Sequence, residues 1–203
     1  DVVDMTSLRL IVGLGNPGGE HLRTRHNAGF WFADALAQRE GARFGTESKL
    51  RGETAKVVIG GQPLWLLKPT TFMNASGASV GAALRYWKIA PEEMLVAHDD
   101  LDLPPGAARL KFDGGHGGQN GLRDLFAHVG HGQFHRLRLG IGHPGHKDRV
   151  LGWVLGRPSA TDEDAIIAAV ARSLDALPLI VAGRFNEAMT RLHTPAGQDP
   201  GTG

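Results

Sequence analysis

The sequence predicts a single α/β domain whose mixed, mostly parallel sheet is sandwiched by helices. Three observations lead there. Short, nearly all-apolar runs such as residues 8–14 (LRLIVGL) suit strands buried on both faces. Between such runs, apolar residues recur at helical spacing, and this alternation is the mark of a sheet covered by helices. Finally, 203 residues with 41% hydrophobic content are enough for one core. The domain is expected over residues 8–193. Residues 1–7 and the Pro/Gly-rich, apolar-poor tail 194–203 (TPAGQDPGTG) are expected to be flexible.

Taken in order, the first strand is followed by a helix marked by Phe30, Ala33 and Ala37, with Phe32 and Leu36 beside them. Residues 56–59 and 64–67 flank Gly60-Gly61-Gln62-Pro63, which reads as a hairpin. Residues 80–87 form a helix, 94–97 a strand and 107–112 another strand. Leu122, Leu125, Phe126 and Val129 mark an amphipathic helix. Leu137, Leu139 and Ile141 alternate with Arg136 and Arg138, so both arginines face away from the apolar side of a strand. Ser159 or Thr161 caps a long helix through Ile166, Val170 and Leu174, which Pro178 interrupts. A last short helix covers about residues 185–192.

Several function classes fall away. With no cysteine, disulfides, Cys-ligated zinc and cysteine nucleophiles are excluded, and a cytoplasmic protein is expected. Residues 1–7 lack the basic and apolar regions of a signal peptide, and no apolar run reaches the roughly 20 residues of a membrane span. Gly13-Leu14-Gly15-Asn16-Pro17-Gly18 follows a strand, but Pro17 and a polar loop stand where a dinucleotide site needs a helix to begin. Gly77-Ala78-Ser79-Val80-Gly81 matches G-x-S-x-G, yet Ser79 falls inside a helix rather than on a strand-to-helix elbow. His131 and His135 are separated by Gly132 and a strand start, so no helix face offers both to a metal.

The informative pattern is polar residues placed where apolar segments end. Asn16 follows the first strand, and Thr24-Arg25-His26-Asn27 precedes the first helix. Thr70 to Asn74 follow the hairpin, His98-Asp99-Asp100 end the next strand, and a glycine-rich run ending in Gln119-Asn120 precedes another helix. Ligands of open α/β sheets bind at the carboxyl ends of the strands, where three of these groups converge. Each also has an ordinary reading: Asn27 or Asn74 as a helix cap, the glycines as a loop. Net charge is only +1, but residues 109–149 carry seven Lys/Arg against three Asp, a local +4 that leaves −3 for the rest. That segment is either a solvated basic face or a phosphate-binding surface.

The segments VGLGNPG (12–18), TRHNAGF (24–30), KPTTFMNASG (68–77), VAHDDLDLPPG (96–106), GGHGGQNGLRD (114–124) and FHRLRLGIGHPG (134–145) resemble those of bacterial-type peptidyl-tRNA hydrolases, in that family's order. With WVLG (153–156) and RLH (191–193), the likeness spans nearly the whole chain. It implies a twisted, mostly parallel mixed sheet, a monomer, and hydrolysis of the ester joining a peptide to tRNA. This recycles tRNA from prematurely released peptidyl-tRNA. Water activated by a general base suffices for an ester, so neither a covalent nucleophile, a metal nor another cofactor is required.

By the same resemblance His26 is the base and Asp99 its partner, fixing the imidazole tautomer. Asn16, Asn74 and Asn120 line the substrate cleft; their amides can bind peptide C=O and N–H groups. Asn16 separates blocked from free aminoacyl-tRNA by accepting from an amide N–H, and an amide donor from Asn74 or Asn120 stabilises the oxyanion. Phe72 contacts the tRNA terminus, or is simply core. Lys111 and Arg138 grip the tRNA 5′ phosphate. Two positions depart from the family pattern: His21, expected to contact the tRNA by stacking, stands where a tyrosine is common, and Gln119 stands where histidine is expected. Relatives of this fold that only bind RNA form the alternative class; the retained His26–Asp99 pair argues against it.

Overall fold

A computed structural model describes residues 7–193, so apart from Ser7 the termini expected to be flexible lie outside the described residues. Seven strands form one sheet in the order β2-β3-β4-β1-β5-β7-β6. They are β1 (Leu10–Gly13), β2 (Gly45–Glu47), β3 (Gly52–Ile59), β4 (Gln62–Pro69), β5 (Met94–Asp100), β6 (Ala108–Phe112) and β7 (His135–Gly140). Strands β4, β1, β5 and β7 are mutually parallel through the centre. Antiparallel β3 and β6 are joined at the two sides, with short β2 outside β3. The expected mixed, mostly parallel sheet is therefore present.

Helices cover both faces because the central strands are apolar on both. In β1, Ile11 belongs to one core while Leu10 and Val12 belong to the other. In β5, Leu95 and Ala97 face one way, Met94 and Val96 the other. Helices α1 (Ala28–Arg39), α5 (Ala160–Val181) and α6 (Phe185–His193) close the first core. Helices α2 (Ser76–Trp87) and α3 (Asn120–Val129) close the second, and a short α4 (Val150–Val154) lies beside the carboxyl ends of the strands. Among the described residues no helix is long and apolar enough to cross a membrane.

Two sequence expectations change. Pro178 does not interrupt α5: the helix runs on to Val181, with Ser159 accepting from the Asp162 N–H at its start. Proline removes one N–H from the ladder, but Leu177, Ile180 and Val181 are buried in the core and hold the last turn in place. Nor do Asn27 and Asn74 cap helices, for neither α1 nor α2 has a side-chain cap. The glycines of G-x-S-x-G do serve packing: a Cβ on Gly77 would lie 2.4 Å from the Asp124 carbonyl oxygen of α3.

Close approach also positions the first helix. A Cβ on Gly29 would sit 2.5 Å from the carbonyl oxygens of both Ala97 and Leu14, and one on Gly13 would lie 2.3 Å from the Gly29 oxygen. Only glycine lets the start of α1 rest directly on the ends of β1 and β5. The turn Arg25–Asn27 ahead of α1 is thereby brought over β5.

Candidate active site

A cleft of about 550 Å³ opens at the carboxyl ends of the parallel strands. Asn16 reaches it from beyond β1, Phe72 to Asn74 from beyond β4, Asp99 and Asp100 from β5, and Gln119 and Asn120 from the start of α3. His26 enters from the turn before α1. The chain leaves β1 toward β4 and returns from β4 to β5, so the crevice lies where the connections diverge, the usual ligand position in such sheets. Of the site residues chosen from sequence, all except His21 line one of two adjoining hollows.

His26 and Asp99 are 73 positions apart and meet at 2.8 Å, imidazole Nδ1 to carboxylate Oδ2. Both are buried, at 7% and 2% exposure. The carboxylate accepts, so the neutral imidazole carries its proton on Nδ1 and turns the Nε2 lone pair toward the cleft. Burial disfavours the imidazolium, but the Asp99 charge and hydrogen bond outweigh it and raise the His26 pKa above its ordinary value. The other carboxylate oxygen, Oδ1, accepts from Gln119 Nε2 at 2.9 Å.

Asn16 is held by both ends of its backbone. Its N–H donates to Asn27 Oδ1 at 2.8 Å, and its carbonyl accepts from Asn27 Nδ2 at 3.0 Å. Asn27 therefore serves as a side-chain clamp between two loops instead of a helix cap. Asn16 Oδ1 in turn accepts from the Met73 N–H at 2.7 Å, which fixes the amide plane. Its Nδ2 makes no hydrogen bond to the described residues and is the end left for the cleft. Asn74 and Asn120 are exposed along the same cleft, Asn120 Oδ1 accepting from Arg123 at 3.4 Å. Phe72 is 64% exposed, so it is not a core residue.

Beside the cleft, a smaller hollow of about 230 Å³ is lined by Lys111, Arg136 and Arg138; the two share Asp100, His116 and Gly117. Lys111 is exposed. Arg138 donates Nε to Asp100 Oδ2 at 2.8 Å, and its terminal guanidinium nitrogens have no partner among the described residues. Burial would raise the Asp100 pKa, but the Arg138 hydrogen bond, the Asp102 N–H and nearby positive charge lower it, so it stands as an anion.

The basic segment is not one uniform surface. Arg136 is 1% exposed and donates to the carbonyls of Gly114, Gly115 and Gly132, with its guanidinium near the Phe126 and Phe134 rings. It ties down the glycine run instead of facing solvent. Lys147, to which the sequence assigns no role, lines the main cleft. His21 lies outside the cleft lining, where its carbonyl accepts from the Thr24 N–H and hydroxyl. Sequence reasoning also missed the apolar wall of Val150, Leu151, Val154 and Leu155. Arg25 ties that wall to the His26 turn by stacking on Trp153 and donating to its carbonyl at 2.9 Å. The pairing of hydrophobic α4 residues with the TRHN arginine has no local sequence signal. Among the described residues no group of three or more His, Asp or Glu side chains is arranged to hold a metal ion.

Known proteins resemble this chain over most of its length. The family model for peptidyl-tRNA hydrolase matches residues 10–199. A peptidyl-tRNA hydrolase of Stenotrophomonas maltophilia (strain R551-3) is 71% identical over 191 residues, 94% of this chain and 100% of the relative. One from Xanthomonas axonopodis pv. citri (strain 306) is 70% identical, covering 94% of this chain and 98% of the relative. The crystal structure of peptidyl-tRNA hydrolase from Acinetobacter baumannii at 1.00 Å resolution superposes with a TM-score of 0.91 at 46% identity, over 94% of this chain and 96% of that one. The fold, the cleft at the strand ends and these matches together place the chain in the peptidyl-tRNA hydrolase family.

Proposed function

We propose that this chain hydrolyses the ester between a peptide, or an N-blocked amino acid, and tRNA, with His26 as general base. The observation that carries the reading is the buried His26–Asp99 pair, whose other imidazole nitrogen has no partner among the described residues and is left for the asparagine-lined cleft. In the resting state Nε2 holds a lone pair. It takes a proton from water as the oxygen adds to the carbonyl carbon, and Asp99 stabilises the imidazolium that forms. Collapse of the tetrahedral intermediate breaks the bond to the ribose oxygen, which receives the proton from His26. The products are a peptide acid and a free tRNA end.

The orientation of Asn16 suits it to donate Nδ2–H toward the scissile carbonyl, because the Met73 N–H holds its oxygen and Nδ2 has no partner among the described residues. This differs from the acceptor role expected for Asn16 from sequence and makes it, beside Asn74 and Asn120, a candidate donor to the oxyanion. A donor also repels a free ammonium. Phe72 at the cleft mouth suits the terminal nucleotide of the tRNA. Lys111 and Arg138 suit its 5′ phosphate, with Asp100 steadying Arg138 through Nε and leaving the rest of the fork for the ligand. Monomeric action in the cytoplasm, implied by the resemblance, belongs to the same reading.

Release of N-acetyl-amino acid from acylated tRNA, with free aminoacyl-tRNA as control, tests this. His26→Ala should lower turnover by about 10²–10⁴-fold while tRNA affinity is retained. Near-normal turnover in that variant would overturn the assignment.

A further inference from the structure

Gln119 stands where the family resemblance leads one to expect histidine, and its surroundings show a use for an amide there. It is the N-cap of α3: its Oε1 accepts from the Leu122 N–H at 2.8 Å. A backbone N–H can only donate, so this contact settles which end of the amide is oxygen. The opposite end is therefore the NH₂ group, and it is this group that lies 2.9 Å from Asp99 Oδ1 and 3.3 Å from Met73 Sδ. Asp99 has its other oxygen on His26. The carboxylate is thus gripped at both oxygens, by a donor that cannot ionise on one side and by the imidazole on the other. The same residue begins α3, whose first residue, Asn120, lines the cleft.

We propose that Gln119 is a positioning residue for the reaction. It acts through Asp99, fixing the carboxylate plane and hence the direction of the His26 Nε2 lone pair. The Asp99 carboxylate can turn about its own terminal torsion, and one bond to His26 alone does not define its plane. The bond from Gln119 supplies the second point. Because the donor is anchored by the helix cap, the direction is set by α3 and not by a mobile side chain. The inference rests on the reading of His26–Asp99 as the catalytic pair.

Three substitutions separate positioning from mere helix capping. Gln119→Ser keeps a capping oxygen but is too short to reach Asp99. Its melting temperature should stay close to the parent's, while kcat on N-acetyl-aminoacyl-tRNA falls roughly 10- to 100-fold, the loss of one hydrogen bond to a charged group, with KM little changed. Gln119→Glu keeps length and cap but turns an acceptor toward Asp99, and should lose more. Gln119→His offers a ring N–H donor and should recover activity relative to Gln119→Ser. The rising limb of the pH–kcat profile should move to lower pH in Gln119→Ser, because a loosened Asp99 supports the imidazolium less. If Gln119→Ser and Gln119→Glu keep kcat within about twofold of the parent and leave the profile in place, the positioning role is overturned. A loss confined to KM, or one that follows the melting temperature and is not rescued by histidine, overturns it equally. Assaying His26→Ala beside them distinguishes the two levels: an inactive His26→Ala with unaffected Gln119 variants removes only this inference, whereas an active His26→Ala removes the reading beneath it.

Discussion

Replacing Asp99 by asparagine is the sharpest perturbation of the catalytic pair, because the structure dictates how the new amide must fail. Both neighbours of the carboxylate are donors: His26 Nδ1–H at 2.8 Å on one oxygen and Gln119 Nε2–H at 2.9 Å on the other. Gln119 cannot turn over without giving up its bond from the Leu122 N–H. Asparagine offers one acceptor and one donor to these two donors. If its oxygen takes the Gln119 bond, its NH₂ faces His26 Nδ1. The imidazole must then hold its proton on Nε2, where the lone pair is needed. If the oxygen turns to His26, two NH₂ groups meet in a site 2% exposed. An asparagine that forces the wrong tautomer costs a serine protease triad about 10⁴ in turnover. For an ester with its better leaving group we expect about 10²–10⁴.

Single-turnover release of N-acetyl-amino acid from tRNA, followed from about pH 5 to 9, reads this without interference from product release. In the parent, activity should rise as the imidazole deprotonates, with a midpoint above the ordinary histidine value, since Asp99 raises the His26 pKa. In Asp99→Asn the plateau should fall and the midpoint should move to lower pH, because burial still disfavours the imidazolium and the opposing charge is gone. Turnover within about threefold of the parent, at an unshifted midpoint, would refute the tautomer argument and the base assignment together.

Two further predictions concern the substrate. Asn16→Asp keeps the oxygen that accepts from Met73 but replaces the free Nδ2–H by an anionic oxygen; kcat on blocked substrates should fall about 10²–10³-fold. The ratio of kcat/KM for acetylated over free aminoacyl-tRNA should also fall, since a carboxylate attracts ammonium, and an unchanged ratio would exclude Asn16 from reading the amine. Lys111→Ala or Arg138→Ala should weaken tRNA binding and reduce the log–log salt slope by about 0.7–0.9 for each phosphate no longer neutralised, while short esters that mimic only the 3′ end are cleaved normally. Arg149→Ala is the control; Lys147 is unsuitable because it lines the cleft. Unchanged affinity and slope in both variants would return Lys111 and Arg138 to a solvated face.

Much of this protein was determined by its sequence alone. Apolar runs too continuous to face water on either side require a sheet covered twice, and β1 and β5 do divide their side chains between two cores. Polar residues at the ends of those runs had to gather at one edge of the sheet, since parallel strands share a carboxyl end. What sequence could not decide is which atom of a side chain is already spent. Asn16 and Gln119 are both amides with two ends, and only a backbone N–H, from distant Met73 in one case and from Leu122 in the other, determines which end is the NH₂ group, turned to the cleft in Asn16 and to Asp99 in Gln119. Arg136 and Arg138 share a face of β7, as their alternation requires. Yet the glycine run closes over the first and leaves the second partly exposed, a difference set by the path of a loop. The placement of Lys147 in the cleft, and the survival of α5 beyond Pro178, have the same origin. Local pattern states what a residue prefers, while long-range packing decides which preference is met, because each burial or hydrogen bond depends on a neighbour whose position the local sequence does not encode.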